Sequence, residues 1–287
     1  MYSCVLAQKY LLSLEPVSSL PPISHLNLSY SSIGDANLIL LASVLTCNTP
    51  YLLHLDLCFT NVTHAAIHDL TSALTGRCNR SLPPLKSLAL SGNTLTGAAE
   101  ELGVTLGAIY ARHQSATPPP NKSYGGLKSL YVSCCSLGSK GLLALLTGMG
   151  PNYPLVDFVG SSNNVGTDGA LRLCEFFAAP KPTEPPPPLL PPPLPPPPLA
   201  PPSQFLSHPR RAIATKKTAH VLPSLTSLDL SRNDFGSDAT VKLAVSLFPR
   251  PTLAHLKLCQ NDISAGGVEK IFQQLLRVSA AQAGELR

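Results

Sequence analysis

Two histidines, His25 and His54, lie 29 residues apart, and Asp56 follows the second by two positions. Imidazoles beside a carboxylate are the groups that bind a transition metal or move a proton near neutral pH. A metal site needs a third ligand and a closed pocket, and the sequence supplies neither, so the pair reads as two solvated histidines. Cys134 and Cys135 are adjacent and form a second chemical candidate. If they end a strand, their side chains point to opposite sides, so one faces the core and a structural role is expected. The eight cysteines lack CxxC pairs, so neither a zinc site nor a disulfide framework is signalled. No GxSxG, HExxH, GxxxxGK[ST] or dinucleotide GxGxxG stands in a strand-to-helix context. The expectation is a protein that is not an enzyme, with no catalytic residue, no metal and no cofactor.

One further segment carries a recognisable ligand chemistry. Of the 30 prolines in 287 residues, 15 fall between Pro180 and Pro202. The run EPPPPLLPPPLPPPPLAPP from Glu184 has its φ angles fixed and its donors removed, which predicts an extended polyproline II rod with free carbonyls. Aromatic grooves read that preformed shape at low entropic cost. The run resembles profilin-binding tracts of actin regulators, and Pro192, Pro193, Leu194 and Pro195 resemble the PPLP ligand of some WW domains. The opposing reading is a low-complexity insert, tolerated because loop closure costs grow slowly with length.

What must position these groups is a repeat. An apolar residue, two others, Leu, one other, Leu, then Asn or a small residue three later and an aliphatic after two more, occurs seven times. It starts at Ile23, Leu52, Leu85, Leu127, Leu155, Leu225 and Leu253. Each copy opens on period-2 alternation, as at Leu228 and Leu230, and then shifts to helical spacing, as at Leu142, Leu145, Leu146 and Met149. One short strand and one helix per unit are implied. Asn93, Asn163, Asn233 and Asn261 stand just before the turn, where a side-chain amide turned inward satisfies backbone groups of adjacent coils. Ser31, Thr60 and Cys135 replace it in the other units.

This pattern resembles leucine-rich repeats. The helix halves LGSKGLLALLTGM from Leu137, VGTDGALRLCEFF from Val165 and FGSDATVKLAVSL from Phe235 resemble the ribonuclease-inhibitor-like subfamily, which includes the repeat domains of NOD-like receptors and of the Ran GTPase-activating protein. The resemblance implies an α/β fold, a right-handed βα horseshoe of about 7 repeats, with a parallel sheet on the concave face and helices on the convex face.

Start-to-start spacings are 29, 33, 42, 28, 70 and 28 residues. The surplus falls after a helix and before the next strand, within about 75–84, 110–124 and 178–222, so every insertion leaves on one rim. The expected organisation is a partial or capping helical unit at 1–22, repeats 1–5 at 23–177, a proline-rich insert at 178–222, repeats 6–7 at 223–277 and a tail at 278–287. Repeat 6 is expected to stack directly on repeat 5, because two repeats alone do not bury a core. Neither end looks capped, which suggests a piece of a longer solenoid or ends covered by a partner.

Non-Leu strand positions point into the concave face. One column reads His25, His54, Ser87, Ser129, Asp157, Ser227 and His255, and the next Asn27, Asp56, Ala89, Tyr131, Val159, Asp229 and Lys257. The candidate partner-binding residues are His25, Asn27, His54, Asp56, Tyr131, Asp157, Asp229, His255 and Lys257. A charged fraction of 13% and a net charge of +5 give no dense basic stripe, so no nucleic-acid partner is expected. Arg210, Arg211, Lys216 and Lys217 form the nearest candidate basic cluster, read as a solvated linker with nuclear import or an acidic-membrane role as the alternative. No run reaches the length of a membrane helix, and reduced thiols fit a cytoplasmic protein, with the nucleus as the other option. Sequons at Asn27, Asn61, Asn79 and Asn121 are expected to be unused. The functional expectation is a non-enzymatic scaffold that binds a protein on its concave face, with the proline loop as a docking site for profilin- or WW-type modules. The alternatives implied by the resemblance are a GTPase regulator and an innate-immune receptor fragment.

Overall fold

The computed structural model describes residues 23–48, 52–74, 85–115, 126–178 and 221–285. The expected N-terminal unit at 1–22, the proline tract with Pro192, Pro193, Leu194 and Pro195, and the basic cluster at 210–217 lie outside the described residues. Strand and helix alternate throughout: β1 (His25–Asn27), α1 (Gly34–Asn48), β2 (His54–Asp56), α2 (His64–Leu74), β3 (Ser87–Ala89) and α3 (Ala99–Ser115). They continue as β4 (Ser129–Tyr131), α4 (Gly138–Met149), β5 (Asp157–Val159), α5 (Gly166–Phe177), β6 (Ser227–Asp229), α6 (Ser237–Leu247), β7 (His255–Lys257) and α7 (Ala265–Glu285). Among the described residues the seven strands form one parallel sheet in sequence order, and their regular alternation with helices makes an α/β solenoid.

Pairing keeps like positions level. His25 pairs with His54, Ser129 with Asp157 and Asp229 with Lys257. Each strand is three residues long because the motif alternates only there; its middle residue points inward and is buried in β2 to β6. Leu57, Leu90 and Leu230 share the dry interior with those middle residues. Each buried leucine contributes about 2 kcal/mol relative to an exposed one. Leu28 is only partly covered, as befits the first described coil. Repeat 5 departs from the pattern with Phe158 and Gly160. A Cβ on Gly160 would lie 2.8 Å from the Phe158 ring, so the larger ring occupies the room a second leucine fills elsewhere.

The asparagine column behaves as its chemistry requires. Asn163, Asn233 and Asn261 are buried, and each side-chain amide bridges two coils. Asn233 Nδ2 donates to the carbonyls of Leu230 in its own coil and Gly160 in the one before, while its Oδ1 accepts from the Asn163 amide at 2.9 Å. Asn261 receives the Asn233 amide at 2.8 Å in the same way. At repeat 4 the Cys135 thiol donates to the carbonyls of Leu90 and Ser133, both at 3.3 Å, and offers no amide. On the helix side of that same junction, α3 and α4 pack backbone to backbone. A Cβ on Gly103 would sit 2.3 Å from the Leu145 carbonyl oxygen, and one on Gly148 2.6 Å from the Val104 nitrogen.

Repeat 6 stacks directly on repeat 5, with Asp157 opposite Ser227. A buried cation holds this junction. Arg250 stacks over the Phe177 ring at 5.0 Å and donates to the carbonyls of Val221 and Leu222. It therefore touches the chain on both sides of residues 179–220. Burial pushes its pKa down to about 10, so it stays charged at neutral pH, and its Nε has no partner.

Three boundaries differ from expectation. The surplus within 110–124 is partly helix, because α3 runs to Ser115 with Ile109 buried and Tyr110 packed on the core. The second block begins by Val221 and Leu222 rather than 223, since Leu222 is fully buried. Residues 278–285 are not a tail: α7 continues to Glu285, where nothing in the sequence breaks a helix.

Candidate functional site: the concave sheet face

Because consecutive strand residues point to opposite sides, burying the central leucine turns both its neighbours outward. In β2 to β6 those neighbours are half-buried, and in the end strands they are exposed. The expected columns are therefore real rows on one face. His25 and His54 stack with ring centroids 4.2 Å apart and planes inclined by 13°. Ser24 Oγ lies 2.8 Å from His25 Nδ1. Burial, then His25, then Lys86 depress the His54 pKa, so its imidazole is neutral at pH 7. Among the described residues no group of three or more His, Cys, Asp or Glu side chains is placed to hold a metal.

The carboxylates are oriented by donors close at hand, two of them by backbone amides two residues on. Asp56 Oδ1 accepts the Cys58 amide at 2.9 Å, and Asp229 Oδ1 accepts the Ser231 amide at 3.0 Å. Asn27 Oδ1 accepts both the amide and the hydroxyl of Ser29. Asp157 Oδ2 accepts the Ser129 hydroxyl at 3.0 Å. The two ion pairs among the described residues, His68 with Glu101 and Lys270 with Asp238, both lie on helices. Asp56, Asp157 and Asp229 therefore face outward held in place, and none is in an ion pair among the described residues, although Lys257 stands opposite Asp229 on the next strand. Pairing sets Asp229 on the strand next to Asp157, and Tyr131 on the other side of Val159. His255 and Lys257 stand on β7, at the far end of the sheet from His25.

Sequence reasoning missed two features. The first is a third row, Ser29, Cys58, Ser91, Ser133, Ser161, Ser231 and Cys259, one alternation further along. Its members are linked: Ser161 Oγ donates to Ser133 Oγ at 2.8 Å, and Ser91 Oγ accepts the Ser133 amide at 3.0 Å. The signal is present as a small polar residue two after every second-column position, but it lies past the second leucine, where the motif's apolar alternation ends. The second feature is an aromatic pair. Tyr30 and Phe59 stack at 4.9 Å with planes 8° apart, and both have left-handed φ angles, 58° and 53°. Period-2 reading fails at a left-handed residue, so strand parity gives these rings no face.

The cysteines divide as expected at the adjacent pair: Cys134 is exposed and Cys135 is buried. Burial pushes the Cys135 thiol to about 12 and the Cys58 thiol to about 11, which leaves both protonated and poor nucleophiles at neutral pH.

Residues 127–146 and 221–244, which span most of the strand-to-helix halves of repeats 4 and 6, match the Leucine Rich repeat family model. No curated protein matches the chain. Among solved structures, the leucine-rich repeat-containing protein LegL7 from Legionella pneumophila is similar, at 18% identity and a TM-score of 0.41, over 92% of this chain and 76% of that one.

Proposed function

We propose that this leucine-rich repeat solenoid is a non-enzymatic scaffold that binds a protein partner on its concave face, within the ribonuclease-inhibitor-like subfamily. One observation carries the reading. Tyr131, Asp157 and Asp229 stand outward on three consecutive strands, their carboxylates fixed by hydrogen bonds and engaged in no ion pair among the described residues. A rigid sheet that presents pre-oriented groups loses little entropy on binding. Leucine-rich repeats generally mediate protein–protein interaction, which agrees with this role. The test places a photo-crosslinking residue at Ser129 or Ser227 on the concave face, and at Glu175 or Lys242 on the helices. A discrete adduct from the concave positions alone, competed away by unlabelled wild-type protein and not by the Tyr131→Ala/Asp229→Ala double variant, is expected. Adducts from the helix positions alone would refute it.

The proline tract is proposed as a second docking segment, for a profilin- or WW-type module. A synthetic peptide of residues 184–202 should bind profilin or a PPLP-reading WW domain, and lose binding when Pro192, Pro193 and Pro195 are replaced by alanine. Indifference to those replacements would remove it from the account.

A further inference from the structure

Resting on the concave-face reading, we infer that the N-terminal end of that face, built by Tyr30, Phe59, Asn27 and Asp56, is a subsite for an arginine side chain of the partner. Two independent observations, on residues three apart in each of two paired coils, point there. The first is aromatic. Tyr30 is 77% exposed and Phe59 45%, in a chain whose other described repeats place Gly92, Cys134, Ser162, Arg232 and Gln260 at the same left-handed position. Bulky non-glycine residues are costly in that region, by about 1 kcal/mol or more, and an exposed Tyr30 returns little of it through burial. The next coil keeps the pair flat: a Cβ on Gly92 would lie 2.3 Å from Phe59 Cδ1, so the Phe59 ring rests over a residue that has no side chain. The outcome is a fixed aromatic platform facing solvent.

The second observation is electrostatic. Asp56 lies three residues before Phe59, and Asn27 three before Tyr30, on paired strands in register. Their Oδ1 atoms are aimed by the amides of Cys58 and Ser29, and no cation among the described residues pairs with Asp56. The chain carries a net charge of +5, yet repeats 1 to 6 place no Lys or Arg in either concave column. An incoming cation therefore meets a carboxylate with no Lys or Arg in the columns themselves, the nearby Lys86 lying outside them. A planar guanidinium satisfies both halves of the subsite, stacking on an aromatic face while donating in its plane to a carboxylate. A lysine ammonium supplies the charge without the plane. A glutamate side chain is repelled, and an aliphatic one leaves Asp56 unanswered.

The experiment uses the full chain and three peptides with a common Gly-X-Gly-X-Gly frame, in which X is Arg, Lys or Glu. Binding is followed by amide chemical shifts. Expected is an arginine peptide that binds about fivefold more tightly than its lysine counterpart, with shifts centred on residues 25–31 and 54–61, and no binding of the glutamate peptide. Tyr30→Ala should erase the preference for arginine over lysine. Asp56→Asn should weaken both by about fivefold while keeping the preference. Gly92→Ala, which displaces the Phe59 ring from outside the subsite, should reduce the preference with Tyr30 and Asp56 intact. Equal binding of the two cationic peptides, or a preference that survives Tyr30→Ala, overturns the inference. If concave adducts at Ser129 and Ser227 persist in that case, the scaffold reading stands and the arginine subsite alone falls.

Discussion

Two junctions of this solenoid solve one problem by different means. Between repeats 5 and 6 the coils are joined through a buried amide, with Asn233 hydrogen-bonded to Asn163, Gly160 and Leu230. Between repeats 3 and 4 that position is Cys135, whose thiol reaches two carbonyls. The helices supply the difference, since Gly103, Gly107 and Gly148 bring α3 and α4 into backbone contact there. Two backbones this close gain dispersion contacts and Cα–H···O contacts that larger side chains forbid. The lesson is local: an asparagine is dispensable where the opposite wall of the coil is drawn tight. At the 5–6 junction, which also interrupts the sequence with residues 179–220, the amide is kept and Arg250 is added.

That contrast is breakable. Asn233→Ala should be the most damaging single change, at about 3 kcal/mol, because the Asn163 amide is left unpaired in a dry interior and the carbonyls of Gly160 and Leu230 each lose one of two donors, keeping those from Asn163 and Asn261. Urea unfolding measures it, and a loss under about 1 kcal/mol would mean that the ladder is ornamental. Gly103→Ala should cost about 2 kcal/mol, since its Cβ meets a carbonyl oxygen that only a backbone shift can move. The same substitution at Gly266, which has open space around it, serves as the control and should be near neutral or favourable. Cys135→Asn sharpens the comparison from the other side. It should add about 1 kcal/mol by restoring the missing amide, as a rise in the urea midpoint. A fall would show that the tight helix packing leaves no room for it.

The smallest effect concerns the face rather than the core. His54 should titrate below 6.5 in an imidazole NMR experiment, and His25→Ala should raise its midpoint only in part, because burial outweighs the neighbouring ring. A folded-state pKa below the unfolded one means that the unfolded chain binds protons first on acidification. The stability tied to a neutral His54 is therefore present above about pH 6.5 and is lost as pH falls toward the folded midpoint.

Most of the fold was legible because the repeat states it seven times. Leu55, Leu88, Leu130 and Leu228 are inward wherever period-2 alternation puts them. The buried asparagines were legible from backbone groups that a turning chain strands. Boundaries were less legible, since α7 runs on to Glu285 through Ala280, Ala281 and Ala283, none of which the motif mentions. Of the concave face, the two strand columns were readable and the aromatic pair was not. Its direction is fixed by left-handed turns at Tyr30 and Phe59, and its flatness by Gly92 in the next coil, a relation between positions 33 residues apart.

The central claim is that the sheet face, and not the helices, meets the partner. Amide hydrogen exchange on the full chain, with and without the partner captured by crosslinking, tests this most directly. The account predicts slowed exchange confined to β2 through β6 and the turns after them, 54–61, 87–92, 129–134, 157–162 and 227–232, and lost with Tyr131→Ala/Asp229→Ala. Slowing confined to α2 through α6, with the strands unchanged, would contradict it.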